Sequence, residues 1–272
     1  MLFLGGMVGM CVEECFICYF DVLGYKSKMD NVGEDAFLEV MLSVKQLIQE
    51  AFEIIKSSAI AYFGMEKKTD VSEELGKQIC LHVFSDNFCI SISKPDLYED
   101  SICLFWNIVT AIMILQKRLL VEHDIFIRGA LNIGNVYREG NFIYGSGLID
   151  AYKIENDVSI YPRIVVGNSC MDFLHEGSLM HKKYVKSMIE LIKRCIIVDE
   201  EDYQYFLNYL IDFVNEPKTR TLGLEQSVKK HEDIVAKNLE CSTNERVKDK
   251  YEWARKYHNE VCKQYDLKEL LL

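Results

Sequence analysis

The spacing of apolar and polar positions divides the chain into distinct elements. Residues 15–20, Cys-Phe-Ile-Cys-Tyr-Phe, form a β-prone run that stops at Asp21. Beyond Gly24 and Tyr25, apolar residues recur every three or four positions: Phe37, Val40, Met41, Val44, Leu47, Ile48, Ala51, Ile54 and Ile55. That period predicts a helix with one buried face. Residues 66–78 are polar and read as a loop. Residues 79–84 and 88–92 predict two strands around the short turn Ser85-Asp86-Asn87. A second apolar helix is expected over 100–121. A second hairpin follows over 125–136 and 141–144, broken by Gly129 and Gly134, then a short helix over 147–155 and a strand over 163–166. From about residue 180 the pattern is mainly helical, with two Lys/Glu-rich amphipathic stretches between 225 and 265.

The order β-α-β-β-α-β plus a hairpin arm predicts an α+β fold of the ferredoxin-like type, an antiparallel sheet with helices on one side. The expected organisation is a tail over 1–14, a core domain over 15–180 and a mainly helical extension over 181–272. No Pro- or Gly-rich linker sets the extension apart, so it is expected to dock on the core.

Composition narrows the function classes. At 272 residues and 49% hydrophobic content, the chain can bury a core without disulfides or a structural metal. With 31 Lys and Arg against 42 Asp and Glu, the net charge of −11 argues against nucleic acid or an anionic membrane as partner. No segment reads as the roughly 20 apolar residues of a membrane helix. The apolar start, Met1 to Met10, lacks a basic region and is followed by Glu13 and Glu14, so it reads as a tail rather than a signal peptide. The ten cysteines sit mostly in apolar runs, as at Cys18, Cys80, Cys89, Cys103 and Cys195, which fits a reducing, cytoplasmic setting.

The candidate chemistry follows from topology. The first strand should pair antiparallel with the third, placing Asp21 beside the turn that carries Asp86. Two carboxylates so placed raise each other's pKa unless a cation separates them. Hard divalent ions accept oxygen ligands and complete their shells with phosphate oxygens. Two such ions about 4 Å apart activate an attacking oxygen and stabilise a leaving one. Backbone amides after Asp21, with Gly24 allowing close approach, can cradle phosphate, and Arg128 can add a cation. Taken singly, Asp21 and Asp86 also suit turns and caps, and Arg128 also suits a surface ion pair.

These residues carry a family resemblance. Phe20-Asp21-Val22-Leu23-Gly24-Tyr25 resembles the first metal motif of class III nucleotidyl cyclases, and Phe84-Ser85-Asp86-Asn87-Phe88 the second. Arg128-Gly129-Ala130-Leu131-Asn132-Ile133-Gly134 resembles their Arg-x-Gly-x-x-x-Gly stretch, and residues 144–155 the segment after it. The likeness spans about 15–170 and is nearest to the bacterial Pycsar pyrimidine cyclases. Ala151 to Glu155, Tyr161 to Val166, Lys250 to Trp253 and Tyr257 to Asn259 share that likeness.

The resemblance implies conversion of a nucleoside triphosphate to its 3′,5′-cyclic monophosphate and pyrophosphate, as messenger synthesis in anti-phage defence. It implies two Mn²⁺ or Mg²⁺ ions held by Asp21, the Val22 carbonyl and Asp86. Phosphates would be held by Leu23, Gly24, Tyr25 and Arg128, and the active sites would lie in a head-to-tail homodimer. The adenine-reading Lys and Asp of purine cyclases fall at Cys80 and Ser146, which points to UTP or CTP. The family's transition-state Asn and Arg fall at Ile149 and Lys153. Lys153 keeps a point charge without the guanidinium fork, whereas Ile149 cannot replace Asn. A catalytically silent nucleotide sensor is therefore the alternative, followed by a relative of diguanylate cyclases or polymerase palms.

Other constellations are weaker. Cys11-x-x-x-Cys15-x-x-Cys18 has the spacing of a cluster-binding loop but runs into the first strand. His175, His181 and His258 lack zinc-ligand spacing. Arg163 and Lys26 are further candidate cations for a triphosphate, with Lys26 expected to be solvated.

Overall fold

The computed structural model describes residues 12–62, 79–211 and 223–272. The tail before Val12 and the expected loop over 66–78 lie outside them. Strand β1 (Glu13–Val22) leads into α1 (Tyr25–Val32) and α2 (Glu34–Tyr62). The hairpin β2 (Ile79–Phe84) and β3 (Asn87–Ser93) follows, then α3 (Tyr98–His123) and the hairpin β4 (Ile127–Glu139) and β5 (Phe142–Tyr144). Next come α4 (Ser146–Lys153), β6 (Ile164–Val166), α5 (Asn168–Leu179) and α6 (Lys183–Arg194). Strands β7 (Ile196–Val198) and β8 (Tyr205–Leu207) precede α7 (Leu224–Cys241) and α8 (Glu245–Gln264).

The sheet runs β2-β3-β1-β4-β6-β8-β7, with β5 paired to β4. Its centre has the expected antiparallel β-α-β-β-α-β order, with β1 between β3 and β4. Two features depart from the expectation. β6 pairs parallel with β4, Gly129 opposite Ile164, because the chain crosses back through α4 before re-entering the sheet, so the sheet is mixed. β7 and β8, in the region expected to be helical, extend the same sheet through Val165 and Phe206. Each is three residues long, too short for a period-2 pattern to show.

The two faces of the sheet differ. One carries the main core, where Phe16, Phe20, Phe88 and Ile92 meet Val44 and Ile48 of α2 and Phe105, Ile108 and Ile112 of α3. Burying each such side chain contributes about 1.5–3 kcal/mol. α3 is in fact long and apolar enough to cross a membrane, contrary to the sequence expectation, but it is mostly buried in this core. The opposite face holds a smaller cluster, Cys15, Ile17, Tyr19, Cys89, Ala130, Val136 and Ala151, covered by α4. Glycine permits that docking. A Cβ on Gly134 would lie 2.5 Å from Gly147 Cα, so α4 meets β4 backbone to backbone.

Candidate active site

The site lies at the C-terminal end of β1. Asp21 faces Asn87 of β3 on one side and Arg128 of β4 on the other. The two-residue turn between β2 and β3 places Asp86 beside it, and the Val22 amide donates to the Asp86 carbonyl at 3.3 Å. Ser85 adopts positive φ (61°) to close that turn, matching the twist a two-residue hairpin requires. The topology thus brings together two carboxylates that are distant in sequence. Burial pushes the Asp21 carboxyl up and Asp86 pushes it further, while Arg128 pulls it down.

Arg128 closes on Asp21 with a fork. Its Nε lies 3.0 and 3.1 Å from the two carboxylate oxygens and its Nη2 lies 2.9 Å from Oδ2. The same Nη2 is 2.7 Å from Glu155 Oε1, and Nη1 donates to the Ser159 carbonyl at 3.4 Å. Arg128 is therefore one cation among Asp21, Asp86 and Glu155.

Beyond β1 the chain turns through Gly24, whose left-handed backbone (φ 73°, ψ 23°) starts α1. The Leu23 amide donates to the Phe126 carbonyl at 2.9 Å, so it is engaged within the protein. Of the three amides expected to hold phosphate, those of Gly24 and Tyr25 precede the first bond of α1, Lys28 N–H to Gly24 carbonyl, and so have no partner within that helix. Tyr25 sets its ring edge-on to Phe37 at 5.1 Å.

Cys80 and Ser146 share a level of the sheet well away from the carboxylates. Cys80 pairs with Ser91, which pairs with Ile17. Ser146 adjoins Gly147, whose would-be Cβ lies 2.5 Å from Ile17 Cδ1. Strand alternation puts Ile17 and Asp21 on one face, roughly 13 Å apart at about 3.3 Å per residue. Lys153 is exposed at the end of α4 and, among the described residues, has no ion pair. Lys26 is exposed on α1.

Comparison with known proteins adds little. No family model matches the chain, and no curated protein matches it. Three solved structures are similar over 72% of this chain. One is the monomeric guanylyl cyclase domain of a RhoGC fusion protein from the aquatic fungus Blastocladiella emersonii (15% identity, TM-score 0.41, 95% of that chain). Another is the catalytic core of a rhodopsin-guanylyl cyclase with converted specificity, in complex with ATPalphaS (12%, 0.41, 96%). The third is the guanylate cyclase domain of RhGC from Catenaria anguillulae, in complex with GTP (11%, 0.35, 96%).

Four residues at the site lie outside the sequence-level candidates. Tyr19, two positions before Asp21 and so on the same face, donates its hydroxyl to Asn87 Oδ1 at 3.0 Å. Asn87 Nδ2 in turn donates to Asp86 Oδ1 at 3.2 Å, fixing that carboxylate. Glu155 lies on a π-helical turn, Ile154–Val158, that follows α4. The wider turn carries it inward, where burial, opposed by Arg128, pushes its carboxyl up to about 7. A single helix had been expected over 147–155, and no sequence signal marks the change of pitch. The fourth, Lys250, comes from α8; like Asn87 and Glu155 it falls within a motif of the resemblance without a role of its own there.

The remaining candidates are resolved by burial. Arg163 is fully buried, paired to Asp199 and Asp202, and lies over the rings of Tyr161, Trp253 and Phe206 at 5.2, 5.4 and 5.6 Å. It faces into the core and so does not serve as a triphosphate ligand. Cys15 and Cys18 are buried in β1, and Cys11 lies outside the described residues.

The acceptors at the site, two carboxylates and backbone carbonyls, are oxygens, which suits a hard divalent cation. A cation there would also offset the burial, and to a lesser degree the Asp86 charge, that raise Asp21. Among the described residues no group of three His, Cys, Asp or Glu is arranged to hold a metal by itself. Remaining ligands would therefore have to come from the Val22 carbonyl and from a bound phosphate.

Proposed function

We propose that this chain is a metal-dependent nucleotidyl cyclase that converts a pyrimidine nucleoside triphosphate, UTP or CTP, to its 3′,5′-cyclic monophosphate and pyrophosphate. The observation that carries the reading is the convergence of Asp21 and Asp86 at one rim of the sheet with Arg128 between strands. Cyclase-like motifs accompany each of the three residues. Cys80 and Ser146 stand at the base-reading positions of the motifs, on the face that carries Asp21, and neither supplies the adenine-reading pair. By the same resemblance, the product is a second messenger of anti-phage defence.

In this reading Asp21 and Asp86 hold two Mn²⁺ or Mg²⁺ ions, which supply Lewis acidity toward the ribose 3′-hydroxyl and neutralise the departing pyrophosphate. Gly24 and Tyr25 present their amides to the phosphates. Arg128 exchanges Asp21 for phosphate oxygens, keeping a bidentate geometry throughout. Glu155 holds the guanidinium near its position during that exchange. Lys153, from a head-to-tail partner, offsets charge developing on the α-phosphate. Phe84, Ile149 and Tyr152 stand about half exposed on the side of the sheet that α4 only partly covers, a surface suited to such a partner.

Incubating the protein with ATP, GTP, CTP and UTP separately, with Mn²⁺, tests the proposal. A cyclic monophosphate and pyrophosphate should form from UTP or CTP alone. A verified dimer that makes no cyclic product from any of the four overturns it. One observation favours a second reading, a silent nucleotide sensor: apolar Ile149 stands where the family has its transition-state Asn. Metal-dependent triphosphate binding by calorimetry, without turnover, would select that reading.

A further inference from the structure

Helix α8 is anchored on two segments that adjoin Arg128. Tyr251 sets its ring against Phe126, centroids 6.1 Å apart, and the Phe126 carbonyl is the group that takes the Leu23 amide. Two residues on, Trp253 stacks on Tyr161 at 5.5 Å and donates its indole N–H to Asp199 at 2.5 Å. Tyr161 lies just beyond Ser159, whose carbonyl accepts from Arg128. Lys250 stands beside Tyr251 and nearly one turn before Trp253, so both anchors direct this part of α8 toward Arg128.

Lys250 is half-buried. It lies near enough to Arg128, Asp21 and Glu155 for their charges to act on it. Lys250 in turn pulls the Asp21 carboxyl down. Among the described residues no carboxylate lies within ion-pair distance of it. Two cations that repel each other, one without a close partner, are relieved when an anion enters between them.

We infer that Lys250 is a phosphate-binding residue contributed by the C-terminal helix, in the same chain, to the Asp21–Asp86–Arg128 site. Its ligand is the polyphosphate of the nucleoside triphosphate, bracketed by the ammonium and the Arg128 guanidinium. The inference rests on the cyclase reading and extends it, because it makes the C-terminal extension part of the substrate site.

Lys250→Met and Lys250→Arg, compared with the unaltered protein, provide the test. Lys250→Met should raise KM for the triphosphate by roughly tenfold to a hundredfold, with unchanged melting temperature. Lys250→Arg should recover most of the loss. Calorimetry with inorganic tripolyphosphate, which needs no turnover, should show affinity weakening in the same order, with a shallower salt dependence for Lys250→Met. Equal tripolyphosphate affinity in the unaltered protein and Lys250→Met overturns the inference. So does a loss that tracks a lowered melting temperature and is not recovered by Lys250→Arg. If the unaltered protein binds tripolyphosphate through Lys250 but makes no cyclic product, the inference stands and the cyclase reading falls.

Discussion

Two arginines, each set between two carboxylates, show how burial separates structure from chemistry. Arg163 is wholly inside, paired to Asp199 and Asp202 and enclosed by three aromatic rings. Arg128 lies at the rim of the sheet with its side chain 20% exposed, forked on Asp21 and touching Glu155. The first has nowhere to move and no route for a ligand, so it ties β6 to the β7–β8 turn and, through Asp199 and Trp253, to α8. The second has excess negative charge around it, helix-start amides nearby and solvent access. The same side chain is a rivet in one place and an exchangeable counter-ion in the other, and only the surroundings distinguish them.

The largest effect should come from breaking the closed cluster. Arg163→Met leaves Asp199 buried without its cation and should cost about 3–5 kcal/mol, measured by urea unfolding. Next, Asp21→Asn should leave the fold intact while lowering cyclic nucleotide formation by roughly a hundredfold or more, read by product assay at saturating Mn²⁺. A smaller effect tests the C-terminal helices that hold the closed cluster. His231 and His258 stack 5.2 Å apart, fully buried, and burial holds both imidazoles below their ordinary range. Around His258, Glu232 acts against that depression and Lys229 with it. Because the unfolded chain takes up these protons first, stability should be full above about pH 6.5. It should fall as pH drops below that, by about 1 kcal/mol per pH unit for each imidazole, measured by thermal melts from pH 7.5 to 5. Smallest of all, Arg128→Met should cost about 1–2 kcal/mol, because the guanidinium itself is 20% exposed and the buried Glu155, its carboxyl already pushed up to about 7, can take the neutral form once the cation is gone. A loss comparable to that of Arg163→Met would erase the distinction.

Much of this was legible in the residues. A long amphipathic repeat gave α2, an apolar run gave α3, and the Ser85-Asp86-Asn87 turn gave the hairpin. Pairing of the first and third strands then placed Asp86 beside Asp21. What stayed hidden has physical causes. β7 and β8 are too short for alternation to register. The π turn that carries Glu155 inward has no residue signature. Arg163 and Arg128 look alike in sequence, because burial is a property of the assembled fold. Lys250 reaches the site only because distant aromatic contacts fix α8, and Tyr19 needed the strand period to be followed back from Asp21.

The guanidinium enclosed by Tyr161, Phe206 and Trp253 also limits how the chain can be shortened. A fragment ending near residue 180 would strip this charge of both counter-ions, remove two of its three ring walls and bare the flank of β6. Such a piece should collapse or clump rather than behave as a minimal core, because it would keep a buried cation without its partners and an unpaired strand edge.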